Sequence, residues 1–280
     1  MIIFAENLAV MKNLSLSEWI RNSEVHGFNT FSFEKVREAF PNASEQNLSN
    51  SLYRLTVKKR IISVYKGFYV IIPPQYAAKG VVVPTYYIDQ LMRYIGKPYY
   101  ISLLNAAELH GAAHQRSQRF SVMTVYPSSN VSKAKNNILD WVYRKEIPEN
   151  FLQTKNSETG TVRYSDPELT AIDLVQYEKH IGGLSRAATV LAELAEETDF
   201  SKVSNELLDY TSVSAVQRLG FILDNILEET EQADILYKQL FNYGKKLNYV
   251  PLSTRSANKN VEKDTRWKID INTEIEIDDL

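Results

Sequence analysis

The stretch TFSFEKVREAFPNASEQNLSNSLYRLTVKKRIISVYKGFYVII, residues 30–72, constrains this chain more than any other. Ser32 is a plausible N-cap for a helix from Phe33 to Phe40. Pro41 cannot continue that helix, and Asn42-Ala43-Ser44 supplies a turn. Asn42 or Ser44 then caps the next helix, and Asn42 with Glu45 has the form of a capping box. The second helix is predicted over Glu45 to Val57. Leu48, Leu52 and Leu55 share one face of it, by i, i+4, i+7 spacing, and should be buried. Ile61 to Tyr65 and Phe68 to Ile72 read as strands around Lys66-Gly67, a pair suited to a two-residue type I′ hairpin.

Helix, turn, helix and basic hairpin make the plan of a winged helix-turn-helix, whose second helix enters the major groove while the wing touches the backbone. The face opposite the leucines carries Gln46, Ser49, Asn50, Tyr53 and Arg54, and Asn47 lies beside it. Most of these side chains can hydrogen-bond to a base edge or a phosphate. Gln46, Asn50, Tyr53 and Arg54 are expected in the groove. Lys58, Lys59, Arg60 and Lys66 are expected on phosphates. Between Gln46 and Ile88 there is no Asp or Glu but six Lys or Arg, the balance that a surface meeting polyphosphate needs. The same pattern also fits an αα-hairpin with a solvated basic face, used to dock a protein.

A length of 280 residues allows two domains, expected at 1–74 and 75–280. The fold class expected is α+β: the winged helix-turn-helix, then a mixed α/β domain with a helical C-terminal half. No apolar run approaches the roughly 20 residues of a membrane span. The N-terminus MIIFAENLAVMKN has no basic start before its apolar patch, so no signal peptide is expected and the cytoplasm is the expected compartment. With no cysteine, disulfides and thiol catalysis are excluded, as are the commonest zinc-finger ligands. The net charge of −2 hides an asymmetry: Leu191 to Asp234 carries eleven acidic residues against Lys202 and Arg218. DNA should repel that half, which fits a basic partner instead.

Before residue 30, a short helix from Ser17 to Asn22 would complete a three-helix core. Beyond the linker from Gln75 to Pro84, helices are predicted over Tyr86 to Ile95 and Tyr99 to Leu109. Phe120 to Tyr126, Ile138 to Arg144 and Thr161 to Tyr164 read as strands. Asp166-Pro167-Glu168 is a strong helix start, with Asp as N-cap and Pro at the first helical position. Helices follow near Leu184 to Glu197, Lys202 to Thr211, Ser214 to Leu227 and Glu231 to Lys245, and Trp267 to Ile271 is expected to return to the sheet.

His110 and His114 have the i, i+4 spacing of metal ligands, but Gly111 argues against a continuous helix and structural histidines are the plainer reading. Asp166, Glu168 and Asp173 could hold Mg²⁺ for metal-assisted hydrolysis, although Asp166 and Glu168 already have work at a helix N-terminus. Arg116, Arg119, Lys133, Lys135 and Tyr126 form either a second electropositive patch or an ordinary solvated face. No Gly-x-Ser-x-Gly elbow, P-loop or dinucleotide fingerprint occurs. Neither cofactor nor metal is expected.

Four blocks in order resemble the AbiE-type (AbiEi) antitoxin family, the regulator half of bacterial abortive-infection toxin–antitoxin pairs. They are Arg60-Ile61-Ile62 with Lys66-Gly67-Phe68-Tyr69-Val70; Pro98-Tyr99-Tyr100-Ile101-Ser102 with Ala106 to Gln115; Ser165 to Thr170 running to Gly182-Gly183; and Gln217-Arg218-Leu219-Gly220. A weaker echo stands at Arg266-Trp267. The resemblance implies an antitoxin that represses its own type IV operon by binding inverted repeats in the promoter, and such an operator would favour two copies, paired in solution or only on DNA. It also implies a C-terminal domain that counters a nucleotidyltransferase-like toxin without requiring a complex with it. Such a protein is not an enzyme. Two other classes stay open: a metal-dependent nuclease using Asp166, Glu168 and Asp173, and a non-catalytic adaptor whose acidic half binds a basic partner.

Overall fold

The computed structural model describes residues 14–112, 117–127, 138–254, 256 and 261–277. They divide into two compact units. The first comprises the described residues up to Lys97 with Ile138 and the short segment 156–162, and the second holds the remainder.

The first unit begins with α1 (Leu16–Val25), longer at both ends than the sequence suggests. Ser15 and Glu18 close a reciprocal capping box at its start. Then come β1 (Thr30–Ser32), α2 (Phe33–Ala39), α3 (Glu45–Val57), β2 (Ile61–Tyr65) and β3 (Phe68–Ile71). The three strands form one sheet in the order β1-β3-β2. Ser32 caps α2 as expected, accepting from the Lys35 amide. At α3 the cap is Ser44, accepting from the Asn47 amide. The Asn42–Glu45 box does not form: with Ser44 as the cap, Glu45 is the first residue of the helix, and its carboxylate pairs with Arg37 at 2.9 Å.

The leucine face of α3 is buried as its spacing requires. Leu48, Leu52 and Leu55 pack with Ile20, Phe31, Val36, Ile61 and Ile71 in one small core. Each such side chain contributes about 1.5–3 kcal/mol by leaving water. Trp19 closes the core edge-on to Phe31 (5.4 Å) and Phe40 (6.3 Å).

The hairpin joins as predicted, but its turn is not type I′. That geometry needs positive φ at both central residues, and here only Gly67 has it, at +73°. A register shift between Ser63 and Tyr65 absorbs the mismatch. After β3 comes one turn of helix, α4 (Pro74–Ala77), then a 3₁₀ turn Pro84–Tyr86 and α5 (Ile88–Ile95), ended by left-handed Gly96. Tyr86 Oη donates to Asn29 Oδ1 at 2.8 Å, which ties this segment to the start of β1.

The second unit is built on a five-stranded sheet of order β6-β5-β4-β8-β7: β4 (Tyr99–Ile101), β5 (Phe120–Val125), β6 (Leu139–Arg144), β7 (Leu152–Ser157) and β8 (Gly160–Ser165). Residues 156–162, the turn of the last hairpin, fall in the first unit. Two expectations are corrected here. The single helix from Tyr99 to Leu109 is a strand followed by α6 (Leu103–Leu109), broken at Leu103, whose φ is +55°. The strand Leu152–Ser157 carried no signal: its side chains are exposed or only partly buried, so no apolar alternation marks it.

Helices α7 (Pro167–Gln176), α8 (Leu184–Leu194), α9 (Asn205–Asp209), α10 (Val213–Asn225) and α11 (Thr230–Asn242) make up the helical half. In α7 every residue from Glu168 to Val175 is buried. The expected return of Trp267 to Ile271 to the main sheet does not occur. Instead β11 (Ile269–Ile271) lies between β9 (Val250–Pro251) and β10 (Glu262–Asp264) in a separate small sheet. No helix among the described residues is long and apolar enough to cross a membrane.

Candidate nucleic-acid interface

Burying the leucine face of α3 turns the rest of the helix outward. Gln46, Asn47, Ser49, Asn50, Tyr53 and Arg54 are all exposed. At 100° per residue, Gln46, Asn50, Tyr53 and Val57 form one row opposite the leucines, with Arg54 beside it. Tyr53 is 70% exposed and Val57 64%, high values for side chains with so much apolar surface. Gln46 Nε2 donates to Asn50 Oδ1 at 3.1 Å, so the two amides stand as a linked pair. The acidic side chain of α3, Glu45, sits at its first position and is held by Arg37.

The cations cluster where α3 ends. Lys58 is the C-cap, and Lys59 takes a left-handed φ of +52° that turns the chain into β2. The Lys59 stem lies against Gly80, where an added Cβ would stand 2.7 Å from Lys59 Cδ. Lys58, Lys59 and Arg60 are exposed, and Arg60 reaches Glu24 at 3.7 Å, a loose pair that water screens.

Lys66 is exposed at the turn of the hairpin. That turn is held from two sides. The Phe33 amide donates to Gly67 O at 2.8 Å. Tyr94 on α5 donates its hydroxyl to Lys66 O at 3.4 Å and lays its ring 5.2 Å from that of Phe68. Partial burial, with Glu34 and Tyr65 nearby, raises the Tyr94 phenol above its ordinary pKa, so it stays a donor. The brace comes from 28 residues away and left no local signal in the sequence. Val57, by contrast, could have been found by extending the Asn50–Tyr53 spacing one turn. The first unit thus presents an amide-rich helical face with cations at its end and on a braced turn, a surface with the chemistry to meet base edges and phosphates.

The other candidates resolve differently. Asp166, Glu168 and Asp173 do not share a site. Asp166 Oδ1 caps α7 by accepting from Leu169 N at 2.8 Å. Glu168 accepts from Asp199 N at 3.0 Å. Asp173 is fully buried, accepts from Tyr100 Oη at 2.6 Å and lies 3.5 Å from the Arg144 guanidinium. Burial raises the Asp173 carboxyl, with Arg144 and Tyr100 pulling the other way. Burial also works against the Arg144 charge, but Asp173 and Tyr100 outweigh it and the net shift is upward. Among the described residues no group of three metal-ligating side chains comes together.

His110 ends α6 as its C-cap, with Nε2 2.8 Å from Ser165 O, and partial burial lowers its pKa. His114 lies outside the described residues, as do Arg116, Lys133 and Lys135. Of that second basic patch, Arg119 is paired with Asp140 at 3.2 Å, and Tyr126 stacks on Tyr143. In the acidic half, Asp224 and Asp234 are occupied by Arg266.

Fold and surface together define an α+β chain with an exposed, amide-rich helical face flanked by cations in one unit and a sheet-and-helix domain in the other. The model of the AbiEi antitoxin C-terminal domain family matches residues 100–225. That stretch is similar to the C-terminal domain of AbiEi-type antitoxins, in line with the sequence resemblance. The crystal structure of RV2827C protein from Mycobacterium tuberculosis is similar over 90% of this chain and 89% of that one, with a TM-score of 0.66 and 12% identity, a likeness of fold. No curated protein sequence matches the chain.

Proposed function

We propose that this protein is the antitoxin of a type IV abortive-infection pair and the repressor of its own operon, acting in the cytoplasm and not as an enzyme. Residues 1–74 serve as a winged helix-turn-helix. α3 is its recognition helix and the β2–β3 hairpin its wing. Gln46, Asn50, Tyr53 and Arg54 meet base edges, with Asn47 and Ser49 at the margins of the same surface. Lys58, Lys59, Arg60 and Lys66 neutralise phosphates. Two copies bind the two halves of an inverted repeat. Residues 75–280 form the antitoxin domain, which counters a nucleotidyltransferase-like toxin without needing a stable complex with it.

The observation that carries the DNA-binding part is the outward face of α3: polar and basic, its one carboxylate spent on Arg37, and flanked by exposed cations. The antitoxin part is supported by the match over residues 100–225.

A two-readout assay in cells tests both parts. The DNA upstream of this protein's gene drives a reporter, and the neighbouring toxin gene is induced separately. The full chain is expected to silence the reporter and restore growth. Asn50→Ala with Arg54→Ala should release the reporter and leave rescue intact. An unrepressed reporter with the wild-type chain overturns autorepression, and failure to restore growth overturns the antitoxin role.

A further inference from the structure

The outward row of α3 is specialised beyond a general affinity for DNA, and resting on the recognition role just proposed, we infer that it selects A·T base pairs in the major groove. The linked amides carry the first half of the argument. With Gln46 Nε2 donating to Asn50 Oδ1, Gln46 Oε1 remains as an acceptor and Asn50 Nδ2 as a donor. Exchanging O and N in both amides still leaves an acceptor beside a donor. Adenine displays the complement in the major groove, an N7 acceptor beside an N6 amino donor, and Asn or Gln is its usual bidentate partner. Guanine offers two acceptors and cytosine one donor there, so neither engages the acceptor and the donor of the pair together.

The second half rests on Tyr53 and Val57. Both continue the row toward the C-terminal end of α3, and both hold most of their apolar surface in water, at 70% and 64% exposure. Among the four bases only thymine projects a methyl group into the major groove. A ring edge and an isopropyl group in line with an adenine-reading pair suit the thymine methyls of the same and adjacent pairs. Arg54 lies to the side of this row and can take a guanine or a phosphate at its margin. The cations at Lys58 to Arg60 and at Lys66 add attraction that is blind to sequence.

The test selects random-sequence duplexes with the full-length chain at fixed salt. It then compares the winning duplex with one in which thymines are replaced by uracil. The expected result is enrichment of A·T pairs at the centre of each half-site. Asn50→Ala or Gln46→Ala should lower the preference for the winner over a G·C-substituted duplex by about five- to 150-fold. Uracil, which removes only the methyl, should weaken the wild-type chain by about fourfold per contacted thymine. The same replacement should make little difference to Val57→Ala with Tyr53→Ala. Enrichment of G·C pairs, or indifference of the wild-type chain to uracil, overturns the A·T assignment while leaving the DNA-binding role standing. No binding to any duplex overturns both.

Discussion

Gly220 lies directly under the ring of Trp267: a Cβ added to the glycine would stand 2.0 Å from Trp267 Cζ3 and 2.1 Å from Cη2. Gly220 lies in the fourth block of the sequence resemblance and Trp267 in its weaker echo, and the fold brings them into contact. Gln217 on the same helix donates to Trp267 O at 2.7 Å and to Asn248 O at 3.0 Å, and Arg218 Nε donates to Pro251 O at 2.9 Å. The Gln217–Gly220 block is therefore a clamp for the small C-terminal sheet.

Gly220→Ala should accordingly be costly, since a fully buried indole must move to make room. Overpacking of this kind costs about 1–3 kcal/mol. The check is a fall in the denaturant midpoint of the full chain, with little change in its affinity for DNA.

Asp173→Asn separates the structural reading of that carboxylate from the catalytic one. Arg144 and Asp173 are both buried, and removing one partner strands the other's charge, at a cost of about 3–5 kcal/mol. A large loss of thermal stability is expected. A normally stable variant would contradict the pairing.

Asp166 introduces a pH dependence. Burial pushes its carboxyl up to about 7 from 3.8, against the pull of the Leu169 amide. The folded state then holds a proton that the unfolded chain releases. Its contribution is complete below pH 3.8 and is lost as pH rises through about 7. Over that window stability declines by up to about 1.4 kcal/mol per pH unit for one proton. Asp166→Asn caps the helix equally well and does not titrate. The variant should gain on the wild type between pH 5 and pH 8 in urea denaturation. Parallel curves would contradict the shift.

The wing gives a paired prediction. Gly67→Ala forces a side chain into left-handed φ, at about 1–2 kcal/mol, and crowds the Tyr94 hydroxyl, 2.9 Å from the new Cβ. DNA affinity should fall. Lys66→Ala should leave stability alone, weaken binding to all sequences alike and reduce the slope of log K against log salt by about one. A change in sequence preference with Lys66→Ala would move that residue from phosphate to base.

What could be read in the sequence follows from how local its cause is. The two helices of 33–57 and the hairpin are set by caps, a proline and i, i+4 leucines, all within a few residues. The start of α7 at Asp166-Pro167 is equally local. Tyr99-Tyr100-Ile101 is not legible as a strand because three buried apolar residues have no period to betray them. The partners of Asp173 could not be foreseen, since Tyr100 is 73 residues away and reaches it only through the fold. Candidate residues of α3 follow from its helical period, whereas the Tyr94 brace on the β2–β3 turn depends on tertiary packing.

The most direct test of the central claim is a fluorescence-anisotropy titration of the full chain against the DNA upstream of its own gene. A scrambled duplex of equal composition serves as competitor, at two salt concentrations. The account predicts binding in two steps that the scrambled duplex does not displace, weakening steeply as salt rises. Equal affinity for both duplexes would contradict it, leaving the face of α3 as a sequence-blind or protein-docking surface.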